Sequence, residues 1–519
     1  MKKKLFKTRL LSFAAFCGLT LAFASCANEE VAQNPNNTDN DKNLTTFTAG
    51  DPSTRTSMES DGKFFWEAGD KIWVKDDNGA WKQSSNAPTA KTASFKFKVP
   101  GKFTQSSTYK VYYPGKNGNR DKVTIAANQV QSEPNTTAHF GTSGDCGMAD
   151  ASKQSNGSFA FTLDHKAAYL LLLPRTSNTI LHDCYLTKVE INSDNDITSI
   201  YTLDPTTGEL TGTGTGKQII VSTGGSGTYA NGFPLTNNST NAATNGSYVV
   251  IKPGTHTLKI RYWVRDVATN IEGTITKVLS STTYDQNKYY NITANLNVED
   301  YDGDHYYMWD AQNQYWYGYE WTKNLPAGVG QPTLNNTSSS NYAQSNADPN
   351  HRWYNEAFTY GVDNPATHTS CKDLPNANEI SWYCMYGDPR WDDDELWTTM
   401  GHLYKGGMWF KKKSQIIGFN ASTAEDGIDW RTNGGGNIWS VSNTLPSAAD
   451  AGNYFYLPAL GYYSSGQLYS VGHDGWYWSS SASPWSPGSA FYLHFTSGYV
   501  AVYNDYRGRD GFRVKPTFE

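Results

Sequence analysis

The sequence predicts a mainly β protein, with β-sandwich modules in its first half and an α+β domain in its second half. Short segments in which apolar and polar residues alternate recur along residues 45–299, between clusters of Gly, Pro, Asn and Ser. This pattern is typical of sandwich strands joined by turns. Leucine is sparse and aromatic residues make up 14% of the chain, which favours strands. Helical patterns become clear only after residue 370.

The N-terminus carries an export signal. Residues 1–26 start with a basic stretch, continue with an apolar run too short to span a membrane, and end in small residues. The residues before Cys26 resemble a bacterial lipobox, so we expect lipidation of Cys26 and anchoring to the membrane through acyl chains. Ordinary signal cleavage without a lipid is the alternative. Residues 27–45 are polar and suit a disordered tether.

Composition narrows the functional classes. A net charge of −6 gives no basic field for nucleic acid, and no second apolar run is long enough to span a bilayer. The mature chain is too long for one core, and we expect a boundary between residues 46–299, which would form two modules, and residues 300–519. Four cysteines remain after the signal, and three disulfide pairings are open: Cys146, Cys184, Cys371 and Cys384.

The first half contains the predicted strands in a regular series. They lie in the segments KFFWEAGDKIWVKDD, SFKFKVPG, TYKVYYPG, SFAFTLDHKAAYLLLLP, YLTKVEINS, GSYVVIKPGTHTLKIRYWVRD and KYYNITANLNV. One short helix fits between them. The segment 212–217, GTGTGK, lacks the Ser or Thr and the following helix that a phosphate-binding loop needs, so it is interpreted as a hairpin turn.

Three segments of the first half resemble a known family. TRTSMESDGKFFWEAGDKIWV, FTLDHKAAYLLLLP and YYNITANLNV occur in the order and spacing of the fimbrillin family, the subunits of bacterial type V pili. The resemblance implies two transthyretin-like β-sandwiches. It also implies assembly with other pilin subunits by strand exchange, in which main-chain hydrogen bonds supply the affinity.

The second half begins with an acidic and aromatic stretch and then two predicted helices. Clustered carboxylates at Asp300, Asp302 and Asp304 could ligate calcium, but they complete no EF-hand loop, so a solvated linker is favoured. The segment LPNANEISWYCMYG predicts a helix capped by Asn376 or Asn378. Its apolar face would carry Ile380, Tyr383 and Cys384.

The second predicted helix covers DPRWDDDELWTTMGHLYKGGMWF. The acidic run Asp392 to Glu395 would occupy its first turn, where negative charge complements the helix dipole. Trp391, Leu396 and Met400 would form its apolar stripe. A metal or catalytic acid site at this run is the less favoured alternative.

The C-terminal segment AFYLHFTSGYVAVYNDYRGRDGFRV, residues 490–514, predicts a β-hairpin with two unlike faces. Leu493, Phe495, Val500 and Val502 alternate on the face that would be buried. The other face carries tyrosines and a histidine where a solvated strand usually carries Thr, Lys and Glu. This composition predicts a binding surface, because Tyr supplies rigid contact area at low entropic cost. Packing of these tyrosines under a loop or a neighbouring domain is the alternative.

PNANEISW, FYLPALGYYSSGQLYSVGHDGWYWSSS and the terminal hairpin together resemble a bacterial branch of the C-type-lectin-like fold. That branch is shared with formylglycine-generating enzymes and with proteins diversified by retroelements. The resemblance implies a stiff scaffold at Trp478, Leu493, Phe495, Gly498, Val500, Val502, Arg507, Gly511, Phe512 and Val514. It also implies a variable ligand-binding set at Trp485, Tyr492, His494, Thr496, Tyr499, Ala501, Tyr503, Asn504, Asp505, Tyr506, Gly508, Arg509 and Asp510.

The departures from these families limit what is carried over. The calcium-ligand set of animal lectins is missing, and the paired catalytic cysteines of formylglycine-generating enzymes have no counterpart near the hairpin. No Gly-x-Ser-x-Gly or His-Glu-x-x-His motif occurs. We therefore expect no enzyme, no cofactor and no metal, although a glycosidase built from dispersed carboxylates leaves no fixed spacing to find.

The sequence thus predicts a cell-surface adhesin, lipid-anchored at the outer membrane or placed at a pilus tip. It would bind an unidentified protein or glycan receptor through the C-terminal face. A head fused after the fimbrillin-like half would occupy the place where a stalk subunit presents its exchange strand. Two alternatives remain open: a solitary surface lipoprotein that captures glycan nutrients, and a structural pilin without a receptor.

Overall fold

Strands dominate the structure, which confirms the mainly β fold class. The computed structural model describes residues 43–50, 57–58, 64–301, 303–320, 338–355, 366–505, 508–515 and 518. Cys26, residues 27–42 of the predicted tether, Asp302, Tyr506 and Arg507 lie outside these residues. The last two tether residues, Leu44 and Thr45, already belong to a strand, so the tether was drawn two residues too long. Among the described residues, no helix is long and apolar enough to cross a membrane.

The first half, residues 45–299, is built from strands with two short helices, α1 (Phe140–Ser143) and α2 (Ala242–Asn245). All seven predicted segments contain strands. Its described strands are β1 (Leu44–Ala49), β2 (Ser57–Met58), β3 (Phe64–Phe65), β4 (Trp73–Lys75), β5 (Trp81–Gln83), β6 (Phe95–Pro100), β7 (Thr108–Tyr113), β8 (Lys122–Ile125), β9 (Asn128–Gln131), β10 (Gly147–Lys153), β11 (Phe159–Phe161), β12 (Asp164–His165), β13 (Ala168–Arg175), β14 (Cys184–Ser193), β15 (Ser199–Leu203), β16 (Leu210–Thr211), β17 (Gln218–Thr223), β18 (Phe233–Pro234), β19 (Ser247–Ile251), β20 (Gly254–Asp266), β21 (Glu272–Tyr284) and β22 (Tyr289–Asn295).

The second half, residues 300–519, combines the helices α3 (Ala377–Tyr386) and α4 (Trp430–Asn433) with a second set of strands. Its described strands are β23 (Tyr306–Tyr307), β24 (Arg390–Thr399), β25 (His402–Lys411), β26 (Asn437–Ser440), β27 (Tyr454–Pro458), β28 (Tyr462–Ser464), β29 (Gln467–Tyr469), β30 (Gly475–Ala482), β31 (Ala490–Phe495), β32 (Tyr499–Tyr503) and β33 (Phe512–Arg513). The predicted α+β character of this half is therefore observed.

The first half buries two apolar cores. The first core lies on the sheet β5-β4-β7-β10-β11-β1-β6 and includes Phe47, Trp66 and Phe159, all fully buried. The second core lies between the sheet β19-β13-β22 and the sheet that contains β20, β14 and β17. Strand β13 is the central strand of the sheet β19-β13-β22 and is covered by this core. Its residues are almost all apolar, as expected for a strand in this position.

A single sheet continues from the first half into the second. Its order is β27-β25-β24-β21-β20-β14-β17-β9, and β21 pairs parallel with β24 at Thr274 and Glu395. The residues that connect the two halves lie beside β24. Thr398 N–H donates to the Glu299 carbonyl at 3.1 Å, and Tyr301 N–H donates to the Thr398 carbonyl at 2.7 Å. The boundary predicted at residues 299 and 300 is therefore bridged by backbone hydrogen bonds.

The first predicted helix of the second half is confirmed. Helix α3 is capped by Asn376, whose side chain accepts a hydrogen bond from the Glu379 amide while the Glu379 carboxylate accepts from the Asn376 amide. This capping box satisfies amides that would otherwise lack partners. Ile380, Tyr383 and Cys384 are buried, as the apolar face predicts.

The second predicted helix is wrong, because its residues form the hairpin β24–β25. The strands are joined by Met400 and Gly401, which both have positive φ, at 49° and 84°. Two such residues match the right-handed twist of a hairpin. A register shift between Asp392 and Leu396 places the acidic run at an irregular point of β24, which obscured the strand pattern.

Two smaller expectations are also settled. Residues 212–217 connect strands of different sheets, so the predicted hairpin turn is wrong there, although Gln218 opens strand β17 rather than a helix, as predicted. No disulfide forms among the four described cysteines, which are all buried as free thiols: Cys146, Cys184, Cys371 and Cys384. Burial raises the pKa of each.

Candidate functional site

The terminal hairpin forms with the predicted buried face. Strands β31 and β32 pair antiparallel within the sheet β23-β33-β30-β31-β32-β26. Leu493, Phe495, Val500 and Val502 are fully buried in the main core of the second half. The inward set that alternation predicts is therefore confirmed.

The opposite face of the sheet follows the strand register. Trp476 pairs with His494, His494 with Ala501, and Ala501 with Ile438 on the edge strand β26. Directly paired residues share a face, so these four side chains form one row across the sheet. Tyr499 and Tyr503, two positions on either side of Ala501, lie on the same face because side chains alternate along a strand.

Much of this face is less accessible than predicted. Tyr492, His494 and Ala501 are 2%, 6% and 0% exposed, so they do not present broad surfaces to a partner. Tyr492 belongs to a second apolar core with Trp309, Cys371, Leu374, Trp478 and Phe512. The segment around residues 307–374 contributes to that core, as in the packing alternative for this face.

The accessible part of the face surrounds Ala501. Tyr499 and Tyr503 are half-buried and Ile438 is 54% exposed. The His494 ring lies 5.3 Å from the Tyr499 ring and 6.1 Å from the Tyr503 ring, measured between centroids. Ala501 itself is fully buried between these larger neighbours, so the accessible surface is formed by Ile438, Tyr499 and Tyr503. We call Ile438, His494, Tyr499, Ala501 and Tyr503 the terminal face.

His494 is held neutral within this face. Its ring stacks on Trp476 with 3.9 Å between centroids, and the Tyr499 hydroxyl lies 3.3 Å from Nδ1. Burial lowers the pKa of His494 to about 4. Its Nε2 atom is buried and has no hydrogen-bond partner among the described residues. An unpaired polar atom of this kind is rare in proteins and marks a place where a ligand group or a water would bind.

A glycine loop places further predicted residues beside the terminal face. A Cβ atom at Gly434 would lie 1.9 Å from the Trp485 ring, so only glycine permits this contact, and its φ of +70° favours glycine as well. Trp485 is 59% exposed. The Asn504 side-chain amide donates to the Gly435 carbonyl at 3.1 Å. The loop therefore holds an exposed indole and a polar side chain near the start of β26.

The remaining predicted residues fall into two groups. Thr496, Asp505 and Arg509 are half-buried or exposed, and Asp505 accepts a hydrogen bond from the Tyr492 hydroxyl at 3.0 Å. Gly508 and Asp510 are buried. Gly508 makes backbone hydrogen bonds to Trp309 and Gly488, which give it a structural role. The structure therefore separates a presented set from supporting residues.

Sequence reasoning missed two parts of this site. Ile438 lies on β26, outside the hairpin, and joins the terminal face only through its pairing with Ala501. The Gly434–Gly436 loop was visible in the sequence as TNGGGN. Three glycines in a row signal close backbone approach, but nothing local indicates that Trp485 is what approaches.

The arrangement is suited to binding. Exposed and half-exposed aromatic rings offer stacking surfaces, and Asn504, Asp505 and the buried imidazole offer hydrogen bonds. Among the described residues, no group of three His, Cys, Asp or Glu side chains could hold a metal ion.

No family model matches the chain, and no curated protein matches it significantly. Solved structures of bacterial adhesion and fimbrial proteins show partial similarity. A candidate cell adhesion protein from Bacteroides ovatus is 15% identical over 49% of this chain and 91% of its own, with a TM-score of 0.30. One from Bacteroides uniformis is 17% identical over 49% and 92%, with a TM-score of 0.26. A fimbrial protein from Bacteroides ovatus is 11% identical over 91% and 98%, with a TM-score of 0.25. Similarity at this level does not by itself assign a function.

Proposed function

We propose that the protein is a cell-surface adhesin that binds a protein or glycan receptor through the terminal face and the adjacent residues Trp485 and Asn504. The observation that carries this proposal is a group of accessible apolar and aromatic side chains on a hydrogen-bonded sheet: Tyr499 and Tyr503 are partly exposed, and Ile438 and the nearby Trp485 are 54% and 59% exposed. Rigid aromatic residues lose little conformational entropy on binding. A preorganised face of this kind favours recognition over structural packing alone.

The second part of the proposal is a position at the tip of a pilus. In a fimbrillin-like subunit, the end of the sandwich supplies the strand that enters a neighbour. Here residues 299–301 follow the end of β22 after three intervening residues and are hydrogen-bonded to β24. This supports a subunit that terminates an assembly, because the connecting segment is already engaged within its own chain.

The first strand fits the accepting role in strand exchange. Strand β1 pairs parallel with β11, whereas β11 pairs antiparallel with β10. Phe47 and Ala49 of β1 are fully buried, and the Phe47 ring stacks on Phe159 with 5.0 Å between centroids. A strand that inserts alternate apolar side chains into a sheet is the kind of element that a neighbour's strand could replace.

The test of the binding site compares tyrosines on the terminal face with a solvent-exposed tyrosine elsewhere. Tyr499→Ala and Tyr503→Ala should each weaken adhesion of the full chain to its target at least tenfold, measured on a glycan array and on intact epithelial cells. Tyr289→Ala is the control, because Tyr289 is 46% exposed but lies in the first half. Equal adhesion by all three variants would falsify the proposed site.

The test of assembly is co-purification from the producing cell. A tip subunit should be recovered in complexes with other pilins that withstand detergent, whereas a solitary glycan-capturing lipoprotein should be recovered as a detergent-solubilised monomer. Resequencing the codons for residues 490–514 in related isolates tests diversification. Changes concentrated at Thr496, Tyr499 and Tyr503, with Leu493 and Val502 fixed, are expected if the face is variable.

A further inference from the structure

A cavity lies between the two halves, away from the terminal hairpin. Its walls come from β21, residues 297–301, β24, β27 and Lys515. It contains about 280 Å³ of space open to water. Small-molecule sites in proteins have volumes of roughly 300 to 1,000 Å³, so this cavity lies just below the lower end of that range and would admit only a ligand of about monosaccharide size.

Two lysines line the cavity without ion-pair partners. Lys277 belongs to β21 and Lys515 follows β33. Both are half-buried, and neither forms an ion pair with a residue that the structure describes. Burial lowers the pKa of both ammonium groups. Each lysine is attracted by one carboxylate of the wall, Lys277 by Glu395 and Lys515 by Glu299. The Lys515 ammonium also lies 5.9 Å from the Tyr301 ring centroid. Because neither lysine forms a contact ion pair, an incoming carboxylate could still stabilise both.

The carboxylates in the same wall are already occupied. Glu395 accepts hydrogen bonds from the Thr276 amide and hydroxyl and from the Thr274 hydroxyl, at 2.9, 2.7 and 3.1 Å. Burial raises the pKa of Glu395 to about 7, so it is only partly charged at neutral pH. Glu299 accepts from the Tyr301 hydroxyl at 2.9 Å. These hydrogen bonds do not remove the carboxylate charges, so the partial charge of Glu395 leaves the two lysines with only a small excess of positive charge in the cavity.

The rest of the wall is suited to a sugar ring. Tyr456 is half-buried and supplies aromatic surface on which the C–H groups of a pyranose pack, whereas Tyr301 and Phe455 are each 7% exposed and contribute only small parts of the wall. The Tyr456 hydroxyl makes only a 3.4 Å contact with the Glu395 carbonyl, so it is available to a ligand hydroxyl. The walls therefore combine cationic, aromatic and hydroxyl groups around one small volume.

We propose that this cavity binds a small carboxylated sugar, with the carboxylate between Lys277 and Lys515 and the ring against Tyr456. The site is distinct from the terminal face and goes beyond the adhesin function. A free sugar acid and the acidic end of a glycan chain share this chemistry. Because the walls come from both halves, the ligand would also contact both sides of the inter-half sheet.

Sodium D-glucuronate is the probe, tested by isothermal titration calorimetry and saturation-transfer NMR on the full chain. D-glucose and sodium acetate are the matched comparisons. Glucose keeps the sugar ring without the carboxylate, and acetate keeps the carboxylate without the ring. Glucuronate should bind at least tenfold more tightly than either. Lys277→Met and Lys515→Met should each weaken glucuronate binding at least tenfold, whereas Lys515→Arg should retain most of it.

Lys405→Met is the control, because Lys405 lies on the neighbouring strand β25 and pairs with Asp394 at 3.2 Å outside the cavity. It should bind glucuronate like the unmodified chain, and so should Tyr503→Ala. Thermal unfolding by circular dichroism shows which variants fold. If only one of the two lysine variants folds, its glucuronate binding alone decides the test. Equal binding of glucose, equal binding of acetate, absence of glucuronate binding, or full binding by both lysine variants overturns the proposal.

A free disaccharide ending in glucuronate separates the two sources of the ligand. Binding at least as tight as that of the monosaccharide indicates a chain end, and weaker binding indicates the free acid. Both outcomes support the carboxylated-sugar class. Because neither experiment uses the terminal face, failure here leaves the proposed adhesin function untouched, and failure of the tyrosine test leaves this cavity untouched.

Discussion

The terminal face and the joint between the halves are both polar regions on β-sheets, but they are built in opposite ways. The joint consists of Lys259, Arg261, Thr274, Asp392 and Glu395. Arg261 is 6% exposed and donates to Asp392 and to the Thr274 hydroxyl, at 2.9 and 2.8 Å. Its central pair, Arg261 with Asp392, is enclosed, and Lys259 donates to the Pro446 carbonyl. Each region also holds one buried nitrogen without a partner among the described residues, Arg261 Nε and His494 Nε2. The terminal face instead consists of aromatic rings around Ala501, with Tyr499, Tyr503 and Ile438 partly exposed.

The difference shows how polar groups serve two purposes. A buried pair fixes two elements relative to each other, because separating the partners leaves a charge without solvent. Partly exposed aromatic side chains hold no elements together by charge, and their accessible surface is left for a partner. The joint therefore favours rigidity and the terminal face favours binding, and each can be perturbed without the other.

The largest expected effect is at the joint. Arg261→Met removes the partner of Asp392, which is 2% exposed, and leaves a buried carboxylate. Breaking such a pair costs about 3–5 kcal/mol of unfolding free energy, measured by urea denaturation. Adhesion through the terminal face should persist under conditions where the variant is folded.

The double variant Arg261→Met with Asp392→Leu is the control. Removing both charges together should restore most of the lost unfolding free energy, because apolar replacements of a buried pair are often neutral. A double variant as unstable as Arg261→Met alone would show that the joint depends on packing rather than on the charge pair.

The second effect concerns His494 and pH. Its pKa is about 4 in the fold against 6.5 in the unfolded chain, so the unfolded state binds more protons between these values. The unfolding free energy contributed by the neutral imidazole is complete above pH 6.5 and is lost as the pH falls towards 4, by up to about 3 kcal/mol. His494→Gln should flatten this part of the pH profile, measured by urea denaturation at each pH. His139, also with a pKa of about 4, contributes a slope that remains in the variant.

A smaller effect is expected at the glycine loop. Gly434→Ala must displace the Trp485 ring, and it also places an alanine at a backbone position with positive φ. Gly427 has a similar φ of +82° but no atom within 4 Å of a built Cβ, so Gly427→Ala measures the backbone term alone. We expect about 1–2 kcal/mol for Gly427→Ala and roughly 1–3 kcal/mol more for Gly434→Ala. Only Gly434→Ala should also weaken adhesion.

The smallest effect tests the weak contact inside the terminal face. Tyr499→Phe removes the hydroxyl that lies 3.3 Å from His494 Nδ1. A single neutral hydrogen bond contributes roughly 0.5–1.5 kcal/mol, and at this length we expect the lower end. Adhesion should fall further than stability if the hydroxyl also contacts the receptor. A loss above 2 kcal/mol would mean that the face is structural.

Local signals in the sequence predict the elements better than they predict the site. The capping of α3 by Asn376 and the inward set of the hairpin depend on neighbours within a few residues, and both are confirmed. Burial of Tyr492 depends on Trp309 and Leu374, more than 100 residues away. No local pattern contains that information, so the presented set was drawn too widely.

The joint could not be predicted from the sequence for a related reason. The acidic run from Asp392 fits the start of a helix, and this local explanation accounted for the charges without a partner. The partner of Asp392 is Arg261, which is 131 residues earlier in the chain. The residues that line the proposed sugar cavity, including Glu395, became recognisable only once β24 was placed beside β21.

The sheet that continues through the joint has a mechanical consequence. In the proposed adhesin, tension between a captured receptor and the cell passes along β21, β24 and residues 299–301. Strand pairing and backbone hydrogen bonds join these segments side by side, so the two halves do not rotate about a flexible linker. A receptor-binding face held in this way loses less rotational freedom on capture. The direction in which the face points is then set by whatever anchors the first half.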